Sequence, residues 1–271
     1  MAVKVRKTNG ELELYSESKI RASAQRVGVP KSLLPDMLAE IRSKLYDTIP
    51  TSEIFSIIKN YLSRSDSPYL AIKYNLKAAL SELGPSGYPF EQYVARLLTA
   101  QGYKTTTNRI LRGKCVSHEV DVLAVKEGTT YFVEAKFHRR IEERSDVKVA
   151  LYIRARYEDI SSRFVGPTTP WIVTNTRFSS DALAYANCRD IKITSWGYPK
   201  GEGIMDMIEE TGLYPLTMLE SLTLEDKKLL LSHNLVVCRD LLGEDKISLL
   251  PVERRQVILA QVRAICSTNS G

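Results

Sequence analysis

Residues 118–138 read HEVDVLAVKEGTTYFVEAKFH. Two apolar runs flank the turn-forming stretch KEGT, the pattern of an antiparallel β-hairpin. Asp121, Glu134 and Lys136 interrupt those runs. Unpaired charges are costly to bury, so these three must be solvated, paired or bound to a cation. In a strand, side chains two residues apart share a face, about 6.5 Å from one another. Glu134 and Lys136 therefore point one way, and Tyr131, Val133, Ala135 and Phe137 the other. The hairpin brings Asp121 alongside. Two carboxylates at short range repel, and a hard cation such as Mg²⁺ between them removes that repulsion. A solvated strand face carrying ordinary charges is the plainer alternative.

The surroundings of the hairpin are those of an α/β layer structure. Before it, YPFEQYVARLLTAQGY places Phe90, Val94, Leu97 and Leu98 on one helical face, with Glu91 at its edge and Gly102 as a stop. After it, Val149, Ile153, Tyr157, Ile160 and Phe164 mark another helix. TPWIVTNT reads as a strand, SSDALAYA as a helix and DIKITSW as a strand. GPSG at 84–87 and GYPKGEG at 197–203 punctuate the chain. They suggest units at 1–83, 88–198 and 199–271. Their net charges are +4, +5 and −3. The first two suit anionic ligands, and the last argues against phosphate contact.

This order of features resembles the PD-(D/E)xK nuclease superfamily, and Mrr-like restriction endonucleases in particular. Asp121, Glu134 and Lys136 match its signature, and Glu91 matches its helix acid. The resemblance covers about residues 88–198. It implies a restriction-endonuclease-like α/β/α core, DNA as substrate, and Mg²⁺ or Mn²⁺ held by Asp121 and Glu134. Lys136 would position or activate water, with Glu91 in support. GKCVSHEVD departs from the family's glycine-rich approach to the aspartate. Cys115 and His118 in it are read as structural or as shaping substrate entry, and His138 as solvated or touching phosphate.

The N-terminal stretch VKVRKTNGELELYSESKI suggests a hairpin about Asn-Gly. Helices follow: one capped by Ser18, one after Thr51 with Ile54, Ile57, Ile58 and Tyr61 on one face, and one from Pro68 through YLAIKYNLKAAL. The segment resembles the ATP-cone, a mainly α-helical regulatory module. Val5, Lys7, Glu13 and Lys19 occupy matching places, Thr51 matches a later threonine, and Arg6 adds charge. Thr8 and Asn9 depart from the pattern. The resemblance implies ATP or dATP as an effector, and a nucleotide-driven change in the state of a homo-oligomer is the expected way it would gate cleavage. No P-loop motif is present, so binding without hydrolysis is implied.

The C-terminal segment reads as helical, with Thr223 capping a helix through Asp226 and a flavour of helix-hairpin-helix. The four cysteines, Cys115, Cys188, Cys238 and Cys266, form no paired metal motif. No run is apolar enough to span a bilayer, and the first residues lack a secretory core. A cytoplasmic protein without a membrane partner is expected. Two functions remain open: a nucleotide-regulated DNA endonuclease, or a non-catalytic, nucleotide-responsive DNA-binding regulator on an idle nuclease fold.

Overall fold

The computed structural model describes residues 3–7, 10–66 and 68–266. Thr8 and Asn9, where the N-terminal pattern departs from the ATP-cone, lie outside them. The chain divides into two compact units, 1–76 and 77–271. The division falls inside the stretch read as one helix from Pro68. That stretch is two short helices joined at Asn75, α4 (Tyr69–Tyr74) and α5 (Leu76–Ser81). The hairpin region and the C-terminal region both fall in the second unit.

In the first unit, β1 (Lys4–Arg6) pairs antiparallel with β2 (Leu12–Leu14) and parallel with β3 (Ile49–Pro50). Helices α1 (Glu17–Arg26), α2 (Leu34–Ser43) and α3 (Thr51–Ser63) pack with α4 around one core. Leu34, Met37, Leu38 and Ile41 of α2 are buried at helical spacing, as are Ile54, Ile57, Ile58 and Leu62 of α3. Ser16, rather than Ser18, caps α1: its hydroxyl accepts from the Lys19 N–H at 3.4 Å.

The second unit is built on a five-stranded mixed sheet. Helix α6 (Tyr88–Ala100) leads into β4 (Lys104–Arg112), β5 (Ser117–Lys126) and β6 (Thr129–Lys136), an antiparallel meander. Glu127 and Gly128 both take positive φ, 51° and 76°, which makes the tight turn between β5 and β6. After the short β7 (Arg144–Ser145) comes α7 (Val147–Ser161). Strand β8 (Thr168–Thr174) then runs parallel to β6. Short β9 (Arg177–Phe178) pairs with β7, α8 (Ser180–Cys188) crosses over, and β10 (Lys192–Thr194) closes the order β10-β8-β6-β5-β4.

The parity of the strands sorts the layers. Phe132, Glu134 and Ile172 face α7: Phe132 stacks near Tyr157, and Ile172 packs with Ala150 and Ile153. Phe137, of opposite parity, meets Phe90 of α6. Sequence periodicity gave no sign of β4. It is an edge strand, mostly polar and half-exposed, so it lacks the apolar alternation that marks a buried strand.

Helices α9 (Ile204–Thr211), α10 (Leu224–Ser232), α11 (Glu244–Ile247) and α12 (Val252–Cys266) complete the unit. The fully buried Tyr93 of α6 donates its hydroxyl to the Leu213 carbonyl at 2.7 Å, and Arg96 binds Asp240 at 2.8 Å. Thr223 and Asp226 form the expected capping box of α10. Arg254 of α12 then forks onto Asp226 at 2.5 and 2.8 Å. No described helix is long and apolar enough to cross a membrane.

Candidate active site

The site lies where two strands part. The β5–β6 ladder runs from Lys126↔Thr129 to Val122↔Val133 and stops. One residue further, Asp121 would face Glu134. There the Ala135 N–H donates instead to Asp121 Oδ2 at 2.8 Å. A side chain thus takes a hydrogen bond at the fork and fixes the orientation of the carboxylate. On its other edge β6 stays paired with β8 through Lys136↔Thr174. The end of β6 is therefore held rigidly while its Asp121 side opens.

Burial and the neighbouring Glu134 push the Asp121 carboxyl up to about 7. Glu91 adds to that rise, while the Ala135 N–H and Arg156 oppose it. Glu91 is itself raised, first by burial and then by Glu119 and Glu134. Three of the sequence-derived residues, Asp121, Glu134 and Glu91, therefore feel one another's charge. Lys136 shares the Glu134 face by strand parity and has no ion-pair partner among the described residues.

Asn108 positions Glu91. It sits on β4 between the pairs Thr107↔Val122 and Arg109↔Val120, opposite Asp121, with a left-handed φ of 52°. Asparagine tolerates that conformation better than most residues. Its amide donates to Glu91 Oε2 at 3.1 Å and accepts from Gln92 at 3.3 Å.

Arg156 of α7 was not expected in the site. Its Nη1 donates to Glu134 Oε2 at 2.7 Å, and the pair is largely shielded from solvent. The signal was in the sequence: Arg156 stands three residues after Ile153 and four before Ile160, on a buried helix face where a cation needs a partner.

His118 and His138 are both hydrogen-bonded within the fold. His138 is not solvated: its ring bonds Glu143 and Ser145, both at 2.9 Å. Asn175 clamps its backbone, accepting from the His138 N–H at 2.9 Å and donating to its carbonyl at 2.7 Å. His118 bonds Asp159 at 2.7 Å, and Asp159 also accepts from the N–H groups of Cys115 and Val116. His118 and those amides hold the Asp159 carboxyl well below the usual range. Gly113 lies so close that a Cβ there would meet Asp159 Oδ2 at 2.1 Å. The loop that replaces the family's glycine-rich approach is thus pinned to α7.

In the first unit, Val5, Glu13, Lys19 and Thr51 line one cleft of about 230 Å³. Arg6 and Lys7 lie outside its lining, although Lys7 reaches Glu13 at 2.9 Å. Lys19 also pairs with Glu13. Phe55 stacks on Tyr74 at 5.1 Å in the same wall. The hydroxyl of Tyr15, another lining residue, is buried without a hydrogen-bond partner among the described residues.

Comparison with known proteins agrees with a restriction-endonuclease-like α/β fold. Residues 84–196 match the restriction endonuclease family, and residues 214–266 match the family described as AF1548-like, C-terminal. An uncharacterized protein of Archaeoglobus fulgidus is 42% identical over 180 residues, which span 64% of this chain and 99% of the relative. The crystal structure of a protein of unknown function, AF1548, superposes with a TM-score of 0.59 at 39% identity, covering 67% of this chain and 99% of that one. Restriction-endonuclease-like domains generally use Mg²⁺, and a nuclease domain implies DNA as substrate. With 99% of the archaeal relative matched at that identity, and a restriction-endonuclease domain followed by an AF1548-like C-terminal domain, the protein belongs to the AF1548-like family of restriction-endonuclease-domain proteins.

Proposed function

We propose that the chain is a Mg²⁺-dependent DNA endonuclease whose activity answers to a nucleotide held by the N-terminal unit. The observation that carries the nuclease reading is Asp121 raised to about 7 beside Glu134 at the strand fork. A place that disfavours a second negative charge favours a divalent cation. The donors are hard carboxylate oxygens, which suit Mg²⁺ or Mn²⁺. The Ala135 N–H already bonds Asp121 Oδ2 and orients the carboxylate that would hold the cation. Such an ion acidifies bound water and offsets charge on the scissile phosphate.

The chain's own residues do the rest. Asp121 and Glu134 would hold the cation. Lys136, without an ion-pair partner among the described residues, orients the attacking water or steadies the charge that develops on phosphate. Glu91, kept at the site by Asn108, supports the water or the cation. Arg156 balances Glu134 before the cation arrives and must share or yield that carboxylate when it does.

Two observations favour the rival, a DNA-binding regulator with an idle nuclease fold. Arg156 already neutralises Glu134, and no group of three or more His, Cys, Asp or Glu side chains among the described residues could hold a metal. A cleavage assay separates the two. Wild type with Mg²⁺ or Mn²⁺ should cut plasmid DNA, and Lys136→Ala should cut at least about 100-fold more slowly while still binding. Intact DNA in both metals, with retained binding by wild type, establishes the regulator.

The nucleotide reading rests on the first-unit cleft. Lys7 and Lys19 converge on Glu13, and a triphosphate would compete with that carboxylate for both ammonium groups. Arg6 at the end of β1 extends the charge. Thr51 and the Phe55–Tyr74 stack provide a polar and an aromatic wall for ATP or dATP. Binding would change the homo-oligomeric state through unequal affinity for two states. Identical mass on gel filtration and identical cleavage rates with and without ATP would remove this part.

A further inference from the structure

We infer that the C-terminal helical region grips the substrate's phosphate backbone through a basic cleft between α10 and the turn entering α6. The inference rests on the nuclease reading and extends it to the substrate's path. The cleft holds about 970 Å³. Gly84, Tyr88 and Arg139 line one side, and Leu224, Lys227 and Lys228 of α10 line the other. Arg139 follows Lys136 by three residues. It also lines an adjoining cleft of about 740 Å³ with His138 and Arg140. Arg139 is thus common to the two clefts.

The acid of the smaller cleft, Glu143, is met by His138 at 2.9 Å and by Arg140 at 3.8 Å. Arg139 and Lys228 are exposed and carry no ion pair among the described residues. The one acid of the larger cleft, Glu82, is taken by Lys227 at 3.1 Å. Free cations facing a common cleft are what a polyanion neutralises. The apolar lining also fits, since deoxyribose offers an apolar face between phosphates and a ring such as Tyr88 can stack on a base.

The region's net −3 counts against phosphate only if its charge is spread evenly. It is not. Asp226 is held by Arg254 and by the α10 cap, and Asp240 by Arg96. Those acids are spent inside the fold, while Lys228 is left at the cleft.

The test is fluorescence anisotropy of the full chain on a labelled duplex of about 30 base pairs, with Ca²⁺ as a cation that holds DNA without supporting cleavage. Lys228→Glu and Arg139→Glu should each weaken binding about five- to tenfold at low salt. Each should also flatten the dependence of log affinity on log salt by about one. Lys200→Glu makes the same charge change elsewhere in the unit and should change affinity less than about twofold. Lys228→Gln, with half the charge change, should fall between, and melting temperatures report that each variant is folded. If Lys228→Glu behaves like Lys200→Glu, the cleft is not a DNA path, even where wild type cleaves. If wild type fails to cleave in Mg²⁺ but its binding depends on Lys228, the nuclease reading falls and the cleft stands.

Discussion

The Ala135 N–H donates to Asp121 Oδ2 at 2.8 Å, just beyond the last paired residues of β5 and β6. That bond holds a carboxylate in a place where burial and Glu134 disfavour its charge. A titratable group is thereby built into the end of the hairpin.

The first consequence is a pH-dependent stability. The Asp121 carboxyl sits at about 7 when folded, above the roughly 3.9 of an unfolded chain. The folded form therefore keeps a proton that the unfolded chain releases. Stability should fall as pH climbs from about 4 to about 7 and level off above that. Asp121→Asn removes the penalty, so it should melt higher than wild type at pH 8 by about 1–3 kcal/mol and nearly equal it at pH 4. Mg²⁺ should raise the wild-type melting point at pH 8 and leave the variant unmoved. Differential scanning calorimetry at both pH values checks this.

Arg156 supplies a second prediction. Removing one partner of a shielded ion pair leaves the other charge uncompensated. Arg156→Ala should lower stability by about 2–4 kcal/mol without metal, because Glu134 then stands beside Asp121 with no cation. Millimolar Mg²⁺ should restore part of that loss, and calorimetric titration should show tighter Mg²⁺ binding than wild type. Equal Mg²⁺ affinity in the two proteins would mean that Glu134 is not a metal ligand.

The loop before β5 offers a stability test remote from the chemistry. A methyl group at Gly113 would press on the Asp159 carboxylate. Asp159 cannot retreat without losing the Cys115, Val116 and His118 bonds. Gly113→Ala should cost about 1–3 kcal/mol by denaturant unfolding. A change below about 0.5 kcal/mol would show that the loop gives way.

Tyr15 tests the first unit. Its buried hydroxyl carries a desolvation cost that no hydrogen bond offsets. Tyr15→Phe should be neutral or stabilising by up to about 1 kcal/mol in the absence of nucleotide. If ATP uses that hydroxyl, the ATP-induced rise in melting temperature should shrink in the variant, which thermal shift with and without ATP would register.

Much of this molecule is legible in the amino-acid order because local rules and packing agree. Apolar runs on either side of a turn announced β5 and β6, helical spacing announced α6, and Thr223 with Asp226 announced the cap of α10. Local periodicity failed at β4, whose polar edge carries no apolar pattern, and at 69–81, where an apolar run hid the break at Asn75. His138 looked solvent-facing because its partners Glu143 and Ser145 lie beyond the strand, across a turn that spacing does not describe.

By itself, the order of residues determined that Asp121, Glu134 and Lys136 stand on strands, with the latter two on one face, since parity in a strand is a local property. Only the tertiary structure decided that the strands part at Asp121, that Arg156 crosses from α7 to meet Glu134, and that Asn108 ties Glu91 to the same place. Those contacts join residues from different elements, and charge and desolvation act through space, so their outcome depends on how the layers close.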